Sequence, residues 1–204
     1  MSPAAVLWDA DGVLQRVTTG AEESMRPALE GRVDDVDACL AQAVLAERPA
    51  LTGEVRWLDV LPGLLAEWGI AEAYDDVVGT WLGIDPVDAA RDLVREVRAG
   101  GVAYHLASNQ DAHRAAYMQE RLGYADLLDG AFYSCALGAA KPDPAYFAAV
   151  LDLLALAPER VLLVDDNPAN VAAARSLGLA AETWSCREDP ALLRAHLTRH
   201  GALS

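Results

Sequence analysis

Short apolar runs alternate with amphipathic segments along most of this chain, and this alternation restricts the fold more than any other feature. Such runs occupy residues 4–8, 102–107 and 161–164, and weaker ones occupy residues 131–133 and 180–184. Their length and apolar character are typical of buried strands in parallel sheets. The segments between them place apolar residues at helical spacing. The sequence therefore predicts an α/β fold, with a doubly wound parallel sheet and helices on both faces.

One long segment interrupts the alternation. Between residues 15 and 83 no run is convincing as a strand, although the first strand ends at residue 8. Apolar residues instead recur at helical spacing, in one stripe over residues 33–44 and another over residues 61–68. The sequence predicts a core made of residues 1–14 and 86–204, with a small all-helical cap of residues 15–85 inserted after strand 1.

The charge balance limits the classes of partner. The 204 residues include 31 acidic and 16 basic side chains, a formal net charge of −15. A chain this acidic repels polyanions, so we expect neither nucleic acid nor a membrane as a partner. Three widely spaced cysteines, with no metal-ligand spacing and no signal peptide, predict a cytoplasmic protein with reduced thiols. No pattern indicates an oligomeric state.

Polar residues follow the predicted strands where each strand ends, and in an open parallel sheet this edge carries the active site. In chain order these residues are Asp9, Asp11, Gly12, Ser108, Asn109, Lys141, Asp165 and Asp166. Grouped carboxylates raise one another's pKa unless a cation neutralises them, and hard oxygen ligands in that number select Mg²⁺. A carboxylate can attack phosphorus, and a second carboxyl two residues away can act as acid and then base. Together these features predict phosphoryl transfer at one crevice.

Each motif alone has an ordinary alternative. Residues 9–12 could form a simple turn, and Asp165 and Asp166 could cap a helix. Lys141, which precedes a proline, could be a solvated loop residue. The functional interpretation depends on all the motifs occurring together, three directly after predicted strands and Lys141 a few residues after the short strand of residues 131–133.

The four motifs, in this order, resemble those of the haloacid dehalogenase-like (HAD) hydrolase superfamily. DADGV is similar to its first motif, LASN to its second, the lysine of AAKPD to its third and LVDDNPANV to its fourth. The match spans the Rossmann-like core, residues 1–14 and about 86–204. The insertion resembles the helical cap of the subgroup that carries its cap after the first motif.

This resemblance implies a Mg²⁺ site. Asp9 would be the nucleophile and a metal ligand, and Asp11 would be the general acid/base with its backbone carbonyl on the metal. Asp166 would bind Mg²⁺ directly and Asp165 through water, with Asn170 supporting the metal shell. The phosphoryl group would be held by the remaining motif residues, namely Ser108, Asn109, Lys141 and Gly12.

The resemblance also implies a Mg²⁺-dependent phosphatase of a small phosphorylated metabolite. True dehalogenases of the superfamily lack the second aspartate of the first motif, so Asp11 argues against that activity. The SN-Q and KPDPAYF stretches are most similar to small sugar-phosphate phosphatases, including those acting on glucose 1-phosphate. A phosphomutase on the same core and a non-catalytic phosphate-binding module remain alternatives. Trp57, Trp68 and Trp81 are expected in the cap core, where one could line the pocket, and Arg16 could touch substrate or lie on the surface.

Overall fold

A computed structural model of the protein describes residues 2–17 and 24–203. Its strands are β1 (Ala5–Trp8), β2 (Gln15–Val17), β3 (Ile84–Pro86), β4 (Ala103–Ser108), β5 (Gly130–Tyr133), β6 (Val161–Asp165) and β7 (Ala180–Thr183). Its helices are α1 (Arg26–Leu29), α2 (Val36–Leu51), α3 (Trp57–Glu67), α4 (Tyr74–Trp81), α5 (Asp88–Ala99), α6 (Ala112–Arg121), α7 (Tyr124–Leu127), α8 (Ser134–Leu137), α9 (Pro144–Leu154), α10 (Pro168–Ser176) and α11 (Pro190–Arg199).

The main sheet has the order β5-β4-β1-β6-β7, and every pair in it is parallel. Strand β1 lies at the centre of this order. All four of its residues are apolar and fully buried, as expected of a strand that is covered on both faces. Val6 and Trp8 pack with α5 and α11 on one face, whereas Leu7 packs with α9 and α10 on the other. The predicted parallel sheet with helices on both faces is confirmed, and all five predicted strands lie in it.

Helices α1 to α4 enclose a hydrophobic cluster of their own. Its buried members include Leu40, Trp57, Leu61 and Trp81, and Trp68 packs against it while partly buried. The tryptophans of this segment therefore lie where the sequence predicts them. No helix among residues 2–17 and 24–203 has both the length and the apolar character that crossing a bilayer requires.

One expectation about the insertion is wrong. Residues 15–17 form strand β2, which pairs antiparallel with β3 at the far end of the same insertion. A three-residue strand is too short to show the two-residue period, and its partner lies far away in the chain. The ribbon joins both ends of the insertion, and next to it Val87 N donates to Leu14 O.

Candidate active site

The predicted site residues converge at the carboxyl edge of β4, β1 and β6, which are neighbours in the sheet. Asp9 follows β1, Ser108 ends β4 and Asp165 ends β6. Lys141 lies in the loop before α9 and reaches the same edge with a buried side chain. The sheet order therefore brings together motifs that are more than 150 residues apart in the chain.

Lys141 connects two of the motif carboxylates. Its Nζ donates to Asp9 Oδ1 at 2.8 Å, to Asp165 Oδ2 at 2.6 Å and to Ala107 O at 2.7 Å. Burial alone would lower the pKa of Lys141, but the carboxylates of Asp9 and Asp165 outweigh burial, and the pKa is raised. The ammonium group is therefore charged, and all three of its protons are used.

Lys141 is also the only lysine among the 16 basic residues of the chain. Its Nζ occupies a buried site with three acceptors around one atom, a geometry that suits a compact ammonium and not a planar guanidinium. The presence of a single lysine is therefore a sequence signal for the site, and it is independent of motif spacing.

Asp9 has one engaged oxygen and one open oxygen. Oδ1 accepts from Ala10 N at 2.8 Å as well as from Lys141, whereas no described residue donates to Oδ2. Burial raises the pKa of Asp9 well above its ordinary value, Lys141 partly offsets this, and Asp165 adds to it. The arrangement leaves Oδ2 as the oxygen able to attack an electrophile.

Three carboxylates form a cluster that fits a divalent cation. Asp9, Asp165 and Asp166 each offer an oxygen, and these oxygens all lie within 4.8 Å of one another. Burial, followed by the charge of Asp165, raises the pKa of Asp166 to about 6. Asn170 donates from Nδ2 to Asp165 Oδ1 at 2.9 Å, and its buried Oδ1 has no partner among the described residues. A set of hard oxygen donors such as this fits Mg²⁺.

Gly12 makes the approach of Asp166 possible. A Cβ at this position would lie 2.0 Å from Asp166 Oδ2, and the backbone has φ of +85°. Only glycine meets both conditions without displacing the carboxylate.

We expect Gly12→Ala to reduce metal-dependent activity by at least about tenfold, because the new methyl group pushes Asp166 out of the cluster. The matched control is Gly31→Ala. Gly31 has φ of +75°, and an added Cβ would meet no atom within 4 Å. Alanine at this position is therefore strained in its backbone, as at Gly12, but it displaces no neighbouring side chain. Mg²⁺ titrations of activity for both variants check the prediction, and equal Mg²⁺ dependence in the two would contradict it.

The two residues of the second motif have different surroundings. Ser108 is buried at the end of β4, and its Oγ accepts from Gln110 Nε2 at 3.2 Å. The side chain of Asn109 exchanges two hydrogen bonds of 2.8 Å with the backbone N and O of Lys141. Asn109 therefore ties the Lys141 loop to β4 with its side chain.

The carboxylate of Asp11 is held by three residues that the motif analysis did not assign. Gln15 Nε2 donates to Oδ1 at 2.7 Å and Gln110 Nε2 donates to Oδ2 at 2.8 Å. The buried Arg114 adds contacts of 3.1 and 3.3 Å from its two terminal nitrogens. Gln110 stands in the SN-Q stretch, one residue before the N-cap of α6, and Arg114 lies in the first turn of that helix.

A cavity of about 360 Å³ opens above these residues. Helices α2 and α4, with the residue that precedes α1, supply one wall, formed by Met25, Val44, Glu47, Arg48, Leu51 and Trp81. Trp81 Nε1 donates to Asp111 Oδ2 at 3.2 Å, and the Trp81 ring lies 5.3 Å from the Arg114 guanidinium. Trp81 is thus the tryptophan that lines the pocket. Arg16 is exposed on β2 and is not among the residues that line this cavity.

The fold and this site define a hydrolase with a Rossmann-like core. The family model of haloacid dehalogenase-like hydrolases matches residues 3–178, and the chain belongs to this family. The prediction of the superfamily from its four motifs is confirmed.

Among curated proteins, the chain is similar to a phosphoglycolate phosphatase of Rhodospirillum rubrum. The two are 26% identical over 200 residues, covering 90% of this chain and 80% of that protein. A shorter match, 33% identical over 87 residues, is to a sesquiterpene phosphatase of Aspergillus oryzae, and covers 43% of this chain and 44% of that protein.

Solved structures share the fold. A HAD family enzyme of Bacteroides thetaiotaomicron, solved in complex with magnesium and inorganic phosphate, has a TM-score of 0.76 at 20% identity. The match covers 94% of this chain and 99% of that enzyme's chain. An L-2-haloacid dehalogenase of Xanthobacter autotrophicus has a TM-score of 0.66 at 22% identity, covering 96% of this chain and 83% of its own. The fold is therefore common to phosphate-binding and dehalogenating members.

Proposed function

We propose that this protein is a Mg²⁺-dependent phosphatase of a small phosphorylated metabolite, which acts through an aspartyl phosphate on Asp9. The observation that carries the proposal is the contact of Lys141 Nζ with both Asp9 and Asp165 beside the open Oδ2 of Asp9. In this proposal residues 1–14 and 86–204 are the catalytic core, and residues 15–85 are the cap over the pocket.

In the first half-reaction, Asp9 Oδ2 attacks phosphorus and the bond from phosphorus to the ester oxygen breaks. A proton from Asp11 goes to the departing oxygen, so that an alcohol leaves. Ser108 Oγ and the backbone of Asn109 donate hydrogen bonds to the phosphoryl oxygens, and Lys141 offsets their charge.

In the second half-reaction, Asp11 accepts a proton from water, and that water oxygen attacks the phosphorus of the aspartyl phosphate. The bond to Asp9 breaks, which restores its carboxylate and releases inorganic phosphate. In the present arrangement Asp11 accepts hydrogen bonds from Gln15, Gln110 and Arg114, which fix the position of its carboxyl group beside the pocket.

Asp9, Asp166 and the backbone carbonyl of Asp11 would hold Mg²⁺, with Asp165 acting through water and Asn170 supporting it. When bound, the ion supplies positive charge that stabilises negative charge on the phosphoryl oxygens. The hydrogen bond from Trp81 to Asp111 links α4 to the start of α6 at the wall of the pocket. The free state of Cys39, Cys135 and Cys186 supports a reducing compartment such as the cytoplasm.

The test is release of inorganic phosphate from a panel of sugar phosphates, nucleotides, phosphorylated acids and p-nitrophenyl phosphate. We expect hydrolysis with Mg²⁺ and at least about a hundredfold loss in excess chelator, restored by added Mg²⁺, because metal charge stabilisation is worth several kcal/mol. Full activity in chelator would contradict the metal requirement. Conversion of a hexose 1-phosphate to an isomer without release of phosphate would indicate a phosphomutase instead.

A further inference from the structure

Glu47 is a carboxyl group in the pocket wall that the proposed chemistry does not use. It projects from α2 into the cavity that also contains Asp9 and Asp11, and no described residue forms a hydrogen bond with it. Burial raises the pKa of Glu47 to about 8, with a further contribution from the carboxylates of Asp111 and Asp11 and an opposing one from Arg114. Most of the group is therefore protonated at pH 7, when it can both donate and accept a hydrogen bond.

None of the described neighbours of Glu47 forms a hydrogen bond with its carboxyl group, so this group is available to a ligand. Met25, Val44 and Leu51 are apolar, and Arg114 is already committed to Asp11. Arg48 also lines the cavity, but it is exposed and follows Glu47 directly, so the two side chains leave the helix about 100° apart. The charges that shift the pKa of Glu47 are those of Asp111, Arg114 and Asp11, and Arg48 is not among them. Glu47 is thus a polar group in an otherwise largely apolar wall, on the side where the alcohol half of a phosphate ester would lie.

We propose that Glu47 binds a hydroxyl group of the substrate, and that the substrate class is phosphate monoesters of polyhydroxylated alcohols, not phosphates that carry a carboxylate. This inference rests on the proposed function. A hydroxyl group can accept from and donate to a carboxyl group, and it adds no charge to the pocket.

A substrate carboxylate at the same place meets an unfavourable environment. Burial and the charges of Asp111 and Asp11 already oppose ionisation of Glu47, and they would oppose an added carboxylate in the same way. The inference therefore separates this chain from its phosphoglycolate phosphatase relative, whose name specifies a substrate with a carboxylate.

Two matched pairs of esters test the substrate class. Glycerol 3-phosphate and 3-phosphoglycerate share a three-carbon skeleton, as glucitol 6-phosphate and 6-phosphogluconate share a six-carbon one. Within each pair a terminal hydroxyl replaces a carboxylate. We expect the wild-type enzyme to have the higher kcat/KM for the polyol member of at least one pair, and p-nitrophenyl phosphate serves as a reference without hydroxyl groups.

Glu47→Met, which keeps the side-chain length without a hydrogen bond, should lower kcat/KM for the preferred polyol phosphate by about 10- to 100-fold. Activity on p-nitrophenyl phosphate should stay within about twofold of the wild type, since hydrogen bonding to the leaving group is not involved. Glu47→Gln should recover part of the loss. Glu72→Gln, at an exposed carboxyl in the same segment, is the control and should match the wild type.

Three results would overturn the inference: preference for the carboxylate member of both pairs, unchanged polyol hydrolysis in Glu47→Met, or an equal loss on p-nitrophenyl phosphate. If the wild type releases phosphate from none of the five esters, the proposed function fails and this inference with it. If the wild type hydrolyses p-nitrophenyl phosphate while Glu47→Met leaves polyol hydrolysis unchanged, only the inference fails.

Discussion

Asp9→Asn is expected to abolish phosphatase turnover, with kcat falling by at least about 10⁴-fold while the fold is retained. An amide of the same shape cannot attack phosphorus. The fold should tolerate the change because burial already disfavours the ionised form of Asp9, as its raised pKa shows. The measurements are steady-state release of phosphate and thermal unfolding of the purified variant.

The matched control for this prediction is Asp189→Asn. Asp189 caps α11 by accepting from Ala191 N and is not among the residues that line the pocket, and asparagine caps helices equally well. It should therefore match the wild type in both measurements. If Asp9→Asn retained more than a few per cent of wild-type turnover, Asp9 would not be the nucleophile.

Lys141→Met is expected to damage both stability and activity. Removing the ammonium leaves Asp9 and Asp165 buried without their shared counter-charge, a type of change that costs about 3–5 kcal/mol of unfolding free energy near neutral pH. Turnover should fall by at least about a hundredfold, since the phosphoryl group loses its positive partner. Lys141→Arg should also fail, because a planar guanidinium cannot place one atom among three acceptors.

The pH dependence of stability in Lys141→Met follows from the direction in which the pKa of Asp9 is shifted. Burial raises this pKa and Lys141 lowers it, so without the lysine it rises further above its unfolded value and the folded state binds more protons than the unfolded state. The destabilisation is then largest at neutral and alkaline pH and shrinks as pH falls through the raised pKa of Asp9. Urea unfolding at pH 5 and pH 8 measures this, and a loss that does not depend on pH would contradict it.

The sheet and the motif positions could be predicted because both depend on local chemistry. A strand buried on both faces must be apolar over its length, so β1 and β6 are visible in the sequence, and so are Asp9 and Asp165 at their ends. The parallel order of the sheet then brings those ends together without any knowledge of side-chain contacts.

The rest of the site depends on contacts between distant segments. The β2–β3 ribbon pairs the two ends of the insertion, and three-residue strands carry no periodic signal. In the sequence, Arg114 and Glu47 are charged residues within predicted helices, like many others. They become recognisable as site residues only in the structure, where α6 and α2 both contribute to the lining of the pocket. Their sequence context contains nothing that separates them from solvated charges, so only the structure identifies them.

The most direct test of the central claim is to trap the phosphoryl group on the protein. Asp11→Asn removes the base for the second half-reaction, and p-nitrophenol leaves without needing an acid, so mixing this variant with Mg²⁺ and p-nitrophenyl [³²P]phosphate should accumulate labelled enzyme after an acid quench. The label should be released by hydroxylamine, should map to the peptide that contains Asp9, and should be absent from Asp9→Asn. Label on another peptide, or turnover of the ester with no labelled enzyme at any time, would contradict covalent catalysis by Asp9.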